Sequence, residues 1–422
     1  MARIAMPSRV FQLFALMISL ILLLNHLDLT KKNSQDWRLS SWLKRRSINC
    51  LAFQSDCDPY LQLGHLFTSD KLHQSRYIIY NDQALINLNA PSVDWVVPSI
   101  SALIYEKKFS QLDYLRNRTI LMIGDSIDRN LVTHFGRHIL PHGSHQIFIP
   151  PDHSNIPTPK LDSHQIGVAH ALDLNFTIYN WFLMGLAVQD PVPFFHPRED
   201  LPQEFKSRLE TFFLPLIRQN LLPLPDLIIF NTGFWDLEYL ARSRLARFKL
   251  QNFASRSQEA PTSLPLGNWG DGNPLSLNEL AYHRMRLRSF IRFLQSSFQS
   301  LNSQLGQPIK PIQFMYRSMQ LGNASQSNAF NAERVRQLDE SNRIVVKEFH
   351  IPIIEWGKMT IGLNWQLSDP SIHFGQGSAQ FIFGDMLLFY LKRLLLGTKD
   401  EWVGCDWIRH RELLQNDLHQ LT

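Results

Sequence analysis

Several large classes are excluded by what this chain has little of. Three cysteines, Cys50, Cys57 and Cys405, are too few among 422 residues for a disulfide scaffold. Cys50 and Cys57 are close enough to bridge a small loop, either could reach Cys405, and free thiols fit the count equally well. There is no glycine-rich phosphate loop and no internal repeat. His134 and His138 stand at i, i+4, with His142 and His145 nearby, yet no thiol or carboxylate lies at ligand spacing among them. They read as surface histidines, and neither a metal nor a cofactor is expected. Excess charge is missing too, once the N-terminus is set aside. Residues 1–46 hold eight Lys/Arg and two Asp, so the net +5 of the chain leaves the remainder at −1. Basicity confined to one terminal segment argues against a nucleic-acid partner. The run Arg242, Arg244, Arg247 and Lys249 reads as a solvated helix face, with a grip on an acidic glycan as the competing reading.

The same terminal segment surrounds an uncharged apolar run, residues 10–24, which Asn25 to Leu29 can extend to about twenty residues. No small-residue cleavage site follows it, so an uncleaved signal anchor over 10–29 is expected. A short tail (1–9) precedes the anchor and a polar stem (30–48) follows. Two arginines before the span and six Lys/Arg after it would place the C-terminal part in the cytoplasm. Asn-x-Ser/Thr sequons at Asn117, Asn175 and Asn323 argue for the opposite side. On residues alone the compartment stays open.

Residues 49–117 have mixed patterning and read as an irregular N-terminal part set against a main domain spanning 118–400, with a tail over 401–422. Within the main domain strands are expected at 119–123, 146–149, 172–179, 226–230, 312–319 and 351–355. Helices are expected at 129–140, 201–220, 277–301, 332–349 and 380–395, and a Ser/Gly/Pro/Asn-rich insertion loop at 250–272. Strands alternating with helices imply a parallel sheet covered on both faces, whose carboxyl-terminal rim gathers the active residues.

The segments that follow the expected strands carry the chemistry. Gly124-Asp125-Ser126 turns from a buried strand into a helix that opens with Asp128-Arg129-Asn130. A serine there has its hydroxyl clear of the sheet and its N–H at a helix N-terminus, although a plain N-cap would look the same. Asn231, after the strand ending at Phe230, can aim its amide across the rim as an oxyanion donor, or simply make an Asn-x-Gly turn with Gly233. Asp369 and His373 share the loop before the last helix, where an imidazole can take the serine proton while a carboxylate holds its tautomer.

Taken together, Gly-Asp-Ser-x-x-Arg-Asn at 124–130, Phe-Asn-Thr-Gly-x-Trp at 230–235 and a late Asp/His loop resemble the SGNH (GDSL-like) superfamily, most of all its PC-esterase and trichome-birefringence-like branch. The resemblance covers about residues 118 to 395. It implies a three-layer α/β sandwich around a parallel, flavodoxin-like five-stranded sheet, behind one N-terminal transmembrane helix. It also implies Ser126 as nucleophile, His373 as base, Asp369 as its partner, and Asn231 and Gly185 at the oxyanion. Gly124, Asp125 and Arg129 would support the turn. Three residues separate Asp369 from His373 where the family has two, and Asp125, Asp128 and Asp236 are the other carboxylates that could serve. The expected activity is that of a Golgi-lumenal esterase or acyltransferase working on O-acyl groups of a glycan. The alternative is an inactive SGNH-like glycan-binding or scaffold protein.

Overall fold

The structure, a computed structural model, describes residues 58–62, 64–80, 95–140, 144–148, 166–187, 204–254, 272–304, 310–322, 328–361, 363, 367, 372–375 and 377–396. The expected anchor and stem, the three cysteines, Asn323, Asp369 and the C-terminal tail lie outside these residues. Among the described residues no helix is long and apolar enough to cross a membrane.

The main sheet is mixed and mostly parallel. Its strands are β4 (Thr119–Gly124), β5 (Ser144–Phe148), β6 (Ile166–Ala171), β7 (Phe176–Phe182), β8 (Leu227–Phe230), β9 (Gln313–Arg317) and β10 (Ile353–Ile354). They lie in the order β10-β9-β8-β4-β7-β6-β5. From β10 to β7 every pairing is parallel, which is the flavodoxin-like order with its switch point between β4 and β8. Every residue of β4, β7 and β8 is buried, as expected of central strands in a sheet covered on both faces, and in β7 this includes the polar Thr177 and Asn180.

The expected five strands are therefore five parallel ones plus an antiparallel pair on one edge. Only a short turn separates β6 from β7: a 3₁₀ segment, Leu172–Leu174, followed by Asn175 with φ +47°. So short a link leaves no room for a crossover, and the strands must run antiparallel. Sequence periodicity merges this hairpin into a single strand at 172–179 because Leu172 and Leu174 continue the apolar alternation through the turn.

Helices cover both faces. On one, Trp181 of β7 stacks on Phe213 at 5.2 Å and on Phe298 at 5.7 Å, the latter from the long helix Leu277–Gln304. The expected helix at 201–220 is broken into α-helical Phe205–Arg208, a π-turn Leu209–Phe213 and α-helical Leu214–Arg218. Pro215 explains the break, since it has no N–H to continue an α-helical ladder. Ala332–Glu348 completes this side, with Val345 and Val346 in the same core. On the other face, Ser126–His134 and its π-helical extension Phe135–Ile139 pack with Ser378–Leu396 and the short helix Ile100–Tyr105. Phe234–Ala254 is helical, so the expected loop at 250–272 begins inside a helix; residues 255–271 lie outside those described.

Residues 58–115 carry more regular structure than their patterning suggests, including an antiparallel sheet of β1 (Gly64–Phe67), β2 (Arg76–Ile79) and β3 (Trp95–Val96). Buried polar bonds fasten this part to the last helix. Asp58 accepts from Tyr390 Oη at 2.9 Å, Asp385 accepts from the Ser101 N–H at 2.6 Å, and Ser75 Oγ meets Ser378 Oγ at 2.9 Å.

His134 faces inward rather than toward solvent, with 1% of its surface exposed and, among the described residues, no hydrogen-bond partner for either ring nitrogen. Its ring lies 4.8 Å from that of His138. Burial, and then the neighbouring His138, push its pKa down to about 3 from 6.5. The unfolded chain thus binds a proton that the folded one refuses, and stability falls as pH drops from 6.5 toward 3. His134→Leu should flatten this fall, retaining roughly 2–3 kcal/mol more than wild type on going from about pH 6.5 to 4.5. Urea unfolding at the two pH values reads the difference, and parallel pH profiles for both proteins would refute it.

Candidate active site

The turn after β4 places a serine without giving it a capping duty. Asp125 is the N-cap of the following helix and accepts from the Ile127 N–H at 2.9 Å. Asp128, at N3, reaches back to the Asp125 N–H at 3.2 Å and closes a capping box. Ser126 is the first helical residue, so its N–H is one of the helix's orphan donors at the positive end of the dipole. Gly124 cannot be replaced easily, because a Cβ there would collide with the Asp128 carboxylate.

With the cap supplied by Asp125, the serine hydroxyl is available to a partner. Ser126 Oγ lies 2.7 Å from His373 Nε2, joining residues 247 apart in sequence. The His373 segment is held from below. Gln320 donates its amide to the Ile372 carbonyl and accepts from the Trp356 indole N–H at 2.6 Å. Trp356 in turn stacks on Phe383 of the last helix, with ring centroids 4.3 Å apart.

A buried ion pair underlies the turn. Arg317, the last residue of β9, is wholly buried and grips Asp128 through two bonds of 2.8 Å. It also lies 3.8 Å from Asp125. Burial, and then the Asp128 charge, push the Asp125 carboxyl up to about 6, with Arg317 opposing the rise. The Arg317 carbonyl accepts from Asn231 Nδ2 at 2.6 Å, which fixes the asparagine side chain and leaves its second N–H for another acceptor.

Asn231 and Gly185 stand on either side of the serine strand. The Asn231 N–H donates to the Ile123 carbonyl, and the Leu183 N–H to the Gly124 carbonyl, so both neighbours of β4 continue their ladders to its end. Gly185 follows with φ +83°, and a Cβ there would lie 2.6 Å from the Asp236 carboxylate. Asp236 accepts from the N–H groups of Leu186 (2.7 Å) and Ala187 (2.6 Å) with one oxygen and meets His283 Nε2 at 3.0 Å with the other.

Ser126, His373, Asn231 and Gly185 are thus gathered at one rim of the sheet, with Gly124 and Asp125 beneath them. Arg129 lies one turn into the helix, its guanidinium 5.5 Å from the Phe182 ring centre. Asp369 lies outside the described residues. Of the substitutes considered for it, Asp128 is occupied by Arg317, and Asp236 by Leu186, Ala187 and His283. Asp125 is held as a cap. Arg317 and Gln320 escaped sequence reasoning: each sits at or just past the end of an unremarkable strand, and their only signal is a polar residue closing an apolar run. The basic run is less solvated than its pattern suggests. Arg242 pairs with Glu238 at 2.5 Å and is mostly buried, and Arg244 pairs with Glu279. Asn117 and Asn175 lie side by side on the surface, with Asn175 Nδ2 2.7 Å from Asn117 Oδ1.

No family model matches the chain, and no curated protein does. Among solved structures, the chain is similar to a putative GDSL-like lipase from Parabacteroides merdae (TM-score 0.31, 13% identity, 67% of this chain and 96% of that one). It is also similar to a GDSL-like lipase from Bacteroides thetaiotaomicron (TM-score 0.30, 10% identity, 69% and 98%). At that degree of overlap neither fold nor chemistry follows from the likeness, and both rest on the geometry above.

Arg317→Met would leave the Asp128 carboxylate buried without its partner. A loss of about 3–5 kcal/mol in chemical denaturation is expected. A variant as stable as wild type would show that the ion pair does not support the turn.

Proposed function

We propose that the protein is a serine esterase or acyltransferase of the SGNH (GDSL-like) type, in its PC-esterase and trichome-birefringence-like branch, acting on O-acyl groups of a glycan, O-acetyl foremost. The observation that carries this reading is the 2.7 Å approach of Ser126 Oγ to His373 Nε2. The contact joins residues 247 apart in sequence, as a serine and its base in one site require.

His373 Nε2 takes the hydroxyl proton as Ser126 Oγ attacks the ester carbonyl. The negative charge on the carbonyl oxygen would be met by the Ser126 N–H and the second amide N–H of Asn231, with Gly185 as the further donor that the family pattern implies. Collapse of this intermediate expels the sugar alkoxide, which recovers the proton from His373 and leaves an acyl-serine. Water or another sugar hydroxyl, deprotonated by the same imidazole, then takes the acyl group and restores Ser126. Asp369 would orient His373 as the family pattern implies. Hydrolysis and transfer use the same residues and differ only in the acceptor.

The reading includes a signal anchor at residues 10–29 and a catalytic domain in the lumen of the secretory pathway. The apolar run and the sequons at Asn117, Asn175 and Asn323 support it.

Hydrolysis of p-nitrophenyl acetate and release of acetate from an acetylated polysaccharide test the chemistry. Ser126→Ala should fall to background, and Asn231→Ala should lose about 10²–10³ in kcat. Activity surviving Ser126→Ala would end the serine mechanism. For the compartment, the protein expressed in a eukaryotic cell should lose mass on glycosidase treatment, and Asn117→Gln should remove part of that shift. A mass indifferent to the glycosidase would count against the lumenal side.

A further inference from the structure

The segment from Leu183 to Ala187 is a loop at the catalytic rim, and side chains from three different helices hold its backbone and that of Phe182, the last residue of β7. Arg208 Nε donates to the Phe182 carbonyl at 2.8 Å. Arg286 Nε donates to the Leu186 carbonyl at 2.7 Å, and Tyr282 Oη to the Ala187 carbonyl at 3.1 Å. Asp236 takes the Leu186 and Ala187 N–H groups on a single oxygen. Loops ordinarily satisfy their backbone with water or with one another, so this degree of external restraint needs a reason.

Asp236 stands at the centre of the arrangement. It is wholly buried, belongs to the first turn of the helix that follows Asn231, and spends its second oxygen on His283, which is also wholly buried. An ionised carboxylate only accepts, so the proton in this contact resides on His283 Nε2. The other ring nitrogen of His283 has no partner among the described residues. Among the described residues this second Asp–His pair therefore has no nucleophile to serve. What it does reach is the turn at Gly185, where φ is +83° and the α-carbon is so close to the carboxylate that a side chain would not fit. Among the described residues no backbone carbonyl takes the Gly185 N–H.

We infer that Asp236, backed by His283, is a positioning residue that fixes the Gly185 turn as one wall of the oxyanion pocket, using the same helix start that carries Asn231 on the other wall. The inference rests on the serine-enzyme reading for its catalytic consequence, but the restraint itself is a property of the loop. Gathering two N–H groups on one charged oxygen sets the loop before substrate arrives, so no reorganisation is needed as charge develops on the carbonyl oxygen. His283 keeps the carboxylate from turning toward any other donor.

Asp236→Asn tests this against Asp385→Asn, a control that removes another buried carboxylate, in the helix Ser378–Leu396. Asp236→Asn should lower kcat for an acetyl ester about 10²-fold with KM little changed, since a slight displacement of a donor acts on the transition state. Asp385→Asn should lose stability and keep kcat per folded molecule. His283→Gln, which retains an N–H donor, should stay near wild type, while His283→Leu should follow Asp236→Asn. Equal kcat losses in the two Asp variants would reduce Asp236 to a structural role and overturn the inference. Hydrogen exchange over residues 183–187 gives a readout independent of turnover: it should quicken in Asp236→Asn and not in Asp385→Asn. Unchanged exchange would overturn the inference even in an active enzyme. An inactive wild type, or a Ser126→Ala variant that still turns over, would instead strike the serine-enzyme reading.

Discussion

The buried contact between Arg317 and Asp128 is the constraint on which the rim depends. Two charges without access to water are costly unless each is fully engaged, and here each has several duties. Asp128 neutralises the guanidinium while receiving the Asp125 N–H. Arg317 closes β9, and its carbonyl steadies the Asn231 amide. One pair thereby ties together the ends of β4, β8 and β9. The glycine at 124 follows from the same pair, since the space a side chain would need is filled by the Asp128 carboxylate.

A division of labour among the acidic residues follows. The sequence offers several carboxylates near the serine, and type alone does not distinguish them. In the fold each is committed differently: Asp125 to the helix cap, Asp128 to the arginine, Asp236 to the Gly185 loop. The serine hydroxyl and the imidazole of His373 are what face each other across the rim. Chemistry and scaffolding use the same residue types within a few ångströms and are separated by partner, not by identity.

How much of this was legible depended on the range of the signal. β4 and β8 are unbroken apolar runs, and Gly-Asp-Ser and Phe-Asn-Thr-Gly follow them directly, so strand and rim residue could be read together. The long helices at 277–304 and 332–348 were legible for the same reason, as amphipathic periods sustained over many turns. The β6–β7 hairpin was not, because an apolar 3₁₀ turn keeps the alternation of a strand. Residues 58–115 hid their sheet because its strands are short and its anchoring is polar, through Asp58, Ser75 and Ser101 to a helix some three hundred residues later. His134 was read as a surface histidine because i, i+4 spacing does not say which face is covered. Arg317 and Gln320 were missed because their importance lies wholly in what they touch.

The union of Ser126 with His373 also has a bearing on biosynthesis. Ser126 emerges from the ribosome first, and its imidazole partner follows 247 residues later, just ahead of the helix Ser378–Leu396. Until residue 373 has been made the Ser126 hydroxyl lacks this imidazole, and the helix Ser378–Leu396 beyond it does not yet exist. Union of the two side chains therefore waits on the segment that leads into the helix Ser378–Leu396.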